Sequence, residues 1–320
     1  MAGLGIVLLL LLVGLWWFMI RMPGASYSGE PSAPETRLVD ELRRDVEQIA
    51  GVIGDRNFYV PAQYRAATEW IEAELRKAGY EPKRQTFEVH GHPCSNIEVE
   101  RPGSDEIVVV GAHYDSIQDC PAANDNGSGV AATLALARRF AKRETKRTLR
   151  FVLFANEEPP SFQTDDMGSL HYARRCKERD EKIVAMISLE TLGYFSDEEG
   201  SQQFPAKPLK AAYGDVGNFV AFVGNVGSVS LVRRTVKTFR KHAKIPSHGL
   251  ATFAAVPGVG WSDHWSFWQV GYNAIMVTDT APYRYPHYHE RSDTPDKLKY
   301  EQFALVVEAL VPVVDDLVNR

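Results

Sequence analysis

The chain has 320 residues, 44% of them apolar and 24% charged, and a formal net charge of −5. This is ordinary globular composition, which excludes a disordered, collagen-like or fibrous chain. A slight acid excess with no long block of Lys and Arg also excludes the electrostatic footprint of a nucleic-acid binder.

Leu4 to Ile20 is an unbroken run of 17 apolar or Gly residues, and no charged side chain precedes Arg21. A core helix would carry a polar stripe, so the run reads as a membrane span or a secretory signal. Ala25 is small enough for a cleavage site, but Pro23 and the missing basic n-region favour an uncleaved anchor over residues 1–21. Arg21 on its far flank would, by the positive-inside rule, leave the body of the chain in the cytoplasm. Residues 22–36 are rich in Pro, Gly and Ser and read as a linker.

From residue 37 to 320 the pattern is that of one domain. Amphipathic helices are expected at about 37–53 and 61–78, then extended segments near 82–90 and 95–100. The apolar runs Ile107–Val110, Leu149–Ala155, Ile183–Leu189 and Ala274–Thr278 follow. They alternate with helical patterns at about 128–144, 166–179 and 229–244, and a last helix closes the chain at about 299–318. Buried β-branched runs alternating with helices define an α/β fold: a mostly parallel, mixed central sheet covered by helices on both faces. The basic stretch Arg138–Arg150 has helical spacing and reads as a solvated helix end.

Three cysteines without CxxC spacing make no disulfide framework. If the domain is exported, Cys94 and Cys120 are the pair expected to oxidise, leaving Cys176 free.

In open α/β sheets, ligands bind beyond the carboxyl ends of the strands. Three runs deliver His113 and Asp115, Glu157 and Glu158, and Glu190 to that edge, and the polar turn Asn124–Gly129 adds Asp125 at a helix start. His, Asp and Glu converging without cysteine suit a hydrolytic zinc or similar divalent site. Adjacent Glu157 and Glu158 leave a strand in different directions, so one can bind metal while the other takes a proton from water. Late in the chain, Tyr288-His289 and Ser262-Asp263-His264 are further candidates, and His287 competes with His289 on sequence grounds alone. His171, His242 and His248 read as ordinary surface or core histidines.

The series His113-x-Asp115, Asn124-Asp125-Asn126-x-Ser128-Gly129, Asn156-Glu157-Glu158, Gly168-Ser169, Ser262-Asp263-His264 and Tyr288-His289-x-x-x-Asp293-Thr294 resembles the M28 family of zinc aminopeptidases in order and spacing. The resemblance runs from about residue 40 to the C-terminus. It implies a zinc-exopeptidase fold and two Zn²⁺ ions bridged by Asp125, one held with His113 and Glu190, the other with Glu158 and His289. Glu157 would be the general base, Asp115 would orient the His113 imidazole, and Tyr288 would polarise the scissile carbonyl. A cis peptide between Asp125 and Asn126 is also implied. Many members carry Asp where this chain has Glu190, and Gly79 to His113 leaves no room for an inserted protease-associated domain.

The implied activity is removal of N-terminal residues from peptides with a free amine, by a domain lying outside the cytoplasm in keeping with the family's habit and against the single charge of Arg21. A related possibility is glutaminyl cyclisation; a third, from another class, is a binding domain that has lost its metal. The loops at about 191–228 and 250–288, with Tyr194, Phe204, Trp261, Trp265 and Tyr283, are expected to form the pocket for the substrate side chain.

Overall fold

A computed structural model describes residues 5, 14, 15, 17–30 and 32–320. Helix α1 (Thr36–Val46) buries Leu38, Leu42 and Val46 at helical spacing and runs on as a π-helical turn over Glu47–Ile53. Helix α2 (Pro61–Lys77) starts on a proline, whose missing N–H costs nothing at a helix start, and stops just before Gly79, which takes positive φ. Strands β1 (Lys83–Val89) and β2 (His92–Arg101) form a hairpin, and β3 (Ser104–His113) leads through the Ala123–Ser128 turn into α3 (Gly129–Phe140). There follow β4 (Arg147–Phe154), α4 (Gly168–Glu178) and β5 (Lys182–Leu189). The second half holds α5 (Lys207–Tyr213), β6 (Val220–Asn225), α6 (Val229–His242), β7 (Ser247–Thr252), α7 (His264–Gln269), β8 (Ala274–Thr278) and α8 (Tyr300–Val318).

All eight strands join one sheet in the order β1-β2-β4-β3-β5-β8-β6-β7. The middle four, β4, β3, β5 and β8, run parallel, so their carboxyl ends share one edge. β6 and β7 are parallel to each other and antiparallel to β8. The two-residue alternation of β3 sorts its side chains: Val108 and Val110 enter the large core under α1, α2, α3, α6 and α8, while Ile107 and Val109 pack with Phe154, Tyr172 and Phe267 on the other face. A third cluster, around Leu209, Phe219, Val223, Leu250 and Met276, lies in the second half of the chain.

The expected α/β sheet is present, and its central strands lie where the apolar runs put them. Strands β6 and β7 and the short helices α5 and α7 were not anticipated. β6 carries the run Phe219–Val223, a usable signal, but Ser247–Thr252 has a single β-branched residue and becomes a strand only by pairing with β6. The expected anchor over 1–21 falls largely outside the described residues; among those described, no helix is long and apolar enough to cross a membrane.

The structure adds detail to one expectation and corrects another. Residues 22–26 of the expected linker are fastened to the domain: Arg240 Nη1 donates to the carbonyls of Met22 (3.1 Å) and Gly24 (2.8 Å), and Ser247 N donates to Ser26 Oγ (2.8 Å). The Cys94–Cys120 pair does not form, because the two thiols face different partners, the carbonyls of His92 and Glu290, and all three cysteines are free.

Candidate metal centre and substrate pocket

The carboxyl edge of the parallel strands gathers the expected side chains. His113 ends β3, Glu157 and Glu158 follow β4, Glu190 follows β5, Asp125 lies in the turn before α3, and His289 comes from the loop before α8. They form two groups that share one member: His113, Asp125 and Glu190, and Asp125, Glu158 and His289. In the first, His113 Nε2 lies 3.4 Å from Asp125 Oδ1 and 3.3 Å from Glu190 Oε2. In the second, His289 Nε2 lies 3.2 Å from Asp125 Oδ2 and 3.3 Å from Glu158 Oε2. Asp125 thus turns one oxygen to each group.

These side chains fit a metal ion. Both Nε2 atoms are buried and without a hydrogen-bond partner, as is Glu158 Oε1. Ligands about 2.0–2.1 Å from a tetrahedral zinc lie roughly 3.3 Å from one another, which matches the spacings in both groups. Charge points the same way. Burial pushes the Glu158 and Glu190 carboxyls up to about 7 and Glu157 well above its ordinary range, each against the pull of the nearby imidazoles. Burial opposes a charge on His289 as well, but Asp125 and Glu158 carry it up to about 10. Asp125 alone is held well below its usual range, since hydrogen bonding from both imidazoles outweighs its burial. A buried acid cluster that draws protons in this way is stabilised by a cation.

Glu157 belongs to neither group, its Oε2 standing 4.0 Å from His113 Nε2. It shares a cavity of about 180 Å³ with Asp125, Glu158, Glu190, Tyr288 and His289. Asp115 stands behind the centre. Its Oδ1 is 3.5 Å from His113 Nδ1 and accepts from Glu157 N (3.0 Å), while Oδ2 accepts from Glu158 N (3.1 Å). One carboxylate therefore lies beside the His113 ring and holds the backbone amides of Glu157 and Glu158. Tyr288 stacks on the His289 ring with centroids 3.8 Å apart, and burial among the carboxylates raises its phenol far above the usual range. The Asp125–Asn126 peptide is cis, as implied by the resemblance.

Supporting residues, two of them motif members with no role assigned and one outside every motif, hold this frame. Asp293 accepts from Asn124 N (2.9 Å) and Asp125 N (3.1 Å). Asn126 donates to the Leu189 carbonyl (2.8 Å) and accepts from Gly129 N and Thr191 N, tying the Asp125 turn to β5. Arg56 is fully buried and donates to the carbonyls of Tyr114 (2.6 Å), Pro121 (2.6 Å) and Ala122 (2.9 Å). It carries no sequence signal, because an isolated Arg after Gly-Asp reads as surface. Glu190, the departure from the family pattern, is held by Ser262 Oγ, which donates to its Oε2 (2.7 Å). Asp263 and His264 lie outside both ligand groups. Burial lifts the Asp263 carboxyl to about 7, and His264 Nε2 is occupied with the Val259 carbonyl at 2.8 Å. His287 pairs with Ser292, which leaves the ligand position to His289.

Beside the centre opens a mainly apolar cavity of about 100 Å³, reached past Glu190, Trp261 and Tyr288. Of the expected residues, Phe204, Trp261 and Tyr283 line it, whereas Tyr194 packs at a tilt against Tyr285 and Trp265 lies outside the lining. Leu250, Met276 and His248 line it too. His248, expected to be an ordinary surface or core histidine, sits on β7, where burial, with Arg240 and Arg284 nearby, lowers it to about 4 and leaves the ring neutral.

With this geometry in place, comparison with known proteins is consistent. Peptidase family M28 matches residues 96–314. The chain is 32% identical to protein YfbL of Escherichia coli K12 over 89% of this chain and 90% of that one. It is 26% identical to leucine aminopeptidase 1 of Arthroderma otae over 87% of this chain and 74% of that protein. The structure of BSAP, a zinc aminopeptidase from Bacillus subtilis, superposes with a TM-score of 0.71 at 15% identity, covering 91% of this chain and 97% of that one. Glutaminyl cyclases are also among the structural neighbours. The chain belongs to peptidase family M28, and the enzyme class its motifs implied, a metallo-aminopeptidase, stands.

Proposed function

We propose that the protein is a two-zinc exopeptidase that removes apolar residues from the N-termini of peptides. The observation that carries this reading is Asp125, whose two oxygens face two separate ligand groups while Glu157 stands free in the same cavity. His113 and Glu190 would hold one zinc, Glu158 and His289 the other, with Asp125 between them. Zinc bound there polarises a scissile carbonyl and lowers the pKa of water.

The chain's own residues supply the rest. Glu157, unengaged by either group, accepts the proton of the attacking water and passes it to the leaving amine. Tyr288, with a phenol that burial keeps protonated, donates a hydrogen bond to the oxygen on which charge develops. The carboxylate of Glu157 or Glu190 receives the substrate's free amine. The adjoining cavity takes the side chain of the first residue, and its mostly apolar lining favours leucine-like and aromatic groups. The apolar N-terminal segment attaches the enzyme to a membrane, with the catalytic domain outside the cytoplasm.

The test is release of chromophore from a panel of aminoacyl-anilides by the purified protein, before chelation, after it, and after zinc is restored. Hydrolysis that disappears on chelation and returns with zinc supports the reading. Glu157→Gln is expected to lower kcat by roughly 10²–10⁴-fold while zinc content is unchanged, since Glu157 is in neither ligand group. A zinc-loaded, folded protein that leaves every anilide intact but cyclises N-terminal Gln peptides would overturn it.

A further inference from the structure

Residues 17–26 run along the open edge of the sheet, beside β7 and α6. Arg233 Nη1 donates to the carbonyls of Phe18 (3.2 Å) and Arg21 (2.8 Å), and its guanidinium lies 4.4 Å over the Phe18 ring. Arg240 and Ser247 secure Met22 to Ser26 as described, and the Met22 side chain is buried in the core against Gly249. The last described part of the apolar segment is therefore docked on the domain.

What this docking leaves outside is apolar. Leu15, Trp17 and Phe18 are 47%, 54% and 47% exposed. Val226 and Phe253, directly after the paired residues Asn225 and Thr252, leave the sheet side by side and are 43% and 62% exposed. These are five of the eight large apolar or aromatic side chains exposed among the described residues. Next to them α6, VSLVRRTVKTFRKH, contains no acidic residue although the whole chain is acidic. Arg233, Lys237 and Lys241 recur every fourth residue and so share a face. Among the described residues, Lys237 and Lys241 are exposed and have no ion-pair partner. A basic helix face flanked by exposed Trp and Phe is the composition of a surface that lies in the headgroup region of a bilayer.

We propose that the flank formed by the docked arm and the basic face of α6 is a bilayer-contact surface for anionic phospholipid headgroups, which holds the domain in one orientation. Since β6 and β7 run against the central strands, Val226 and Phe253 lie at the end of the sheet opposite the metal centre. The catalytic edge accordingly points away from the lipid. This inference rests on the proposed membrane attachment and not on the proposed chemistry.

The experiment uses the full chain reconstituted in vesicles of phosphatidylcholine with phosphatidylglycerol, a nitroxide-labelled lipid serving as quencher. A fluorophore is placed at Ser230→Cys, exposed on the same α6 face, or at Lys83→Cys on β1, the other edge of the sheet. The expected result is severalfold stronger quenching at 230 than at 83, falling toward the level at 83 in pure phosphatidylcholine and in the Lys237→Glu, Lys241→Glu double variant. Equal quenching at the two positions, or strong quenching at 230 that ignores lipid and helix charge, would overturn it. A chain that fails to float with vesicles overturns the attachment and this proposal together, whereas anilide hydrolysis reports separately on the chemistry.

Discussion

At the scale of single residues, the centre depends on groups that belong to neither ligand set. Arg56 is an isolated buried guanidinium with carbonyls as its hydrogen-bond partners, and those carbonyls belong to the segment that carries Asp115 and leads into Asp125. Arg56→Lys keeps the charge but loses the planar fork, leaving buried carbonyls without donors. The expected cost is about 3 kcal/mol of unfolding free energy. Zinc affinity should also fall by roughly 10–100-fold, measured by competition with a chromophoric chelator. Unchanged affinity would show that the segment holds its shape without Arg56.

At the scale of elements, the approach of α3 to β5 fixes where Asp125 points. Gly129 opens the helix so close to the Leu189 carbonyl and the Asn126 side chain that an added Cβ would collide with both. Gly129→Ala should therefore lower Tm measurably and reduce bound zinc, which thermal melting and metal analysis of the purified variant would reveal. The same closeness explains what could be read from sequence. His113, Glu157, Glu158 and Glu190 follow buried strands whose apolar runs are unmistakable, so strand and site were legible together. β7 and the supporting Arg56 were not, because a strand with one β-branched residue and a solitary arginine gain their meaning only from partners distant in the chain. Cys94 and Cys120 misled for a related reason: a cysteine's place in the sequence says nothing of which way its thiol faces. Glu190 differs from the common Asp, and its longer arm is accommodated by the Ser262 hydroxyl, itself paired with Ser188 Oγ at 2.7 Å.

For the molecule as a whole, the buried acids tie stability to pH and to metal. Glu158 and Glu190 rise from the ordinary 4.5 to about 7 in the metal-free fold. A carboxyl with a raised folded-state pKa binds protons more tightly folded than unfolded, so its contribution is present below the unfolded value and is lost as pH climbs through the folded one. The raised His289 acts in the same direction at higher pH, and Asp125, held low, opposes only in acid. Metal-free protein should thus lose Tm between about pH 4.5 and 7, and zinc should restore progressively more of it across that window. A scanning-calorimetry series with and without chelator decides, and parallel pH curves for the two forms would refute it. The sheet's change of direction at β8 has a consequence of another kind. The candidate metal ligands come from residues 113–190 and from His289, while Phe204 to Tyr283 enclose most of the adjoining apolar cavity. On the proposed function, reactivity and selectivity are thus written in separate stretches of the chain. Evolution can redraft the second without erasing the first, so descendants of one ancestor can share a chemistry while choosing different meals.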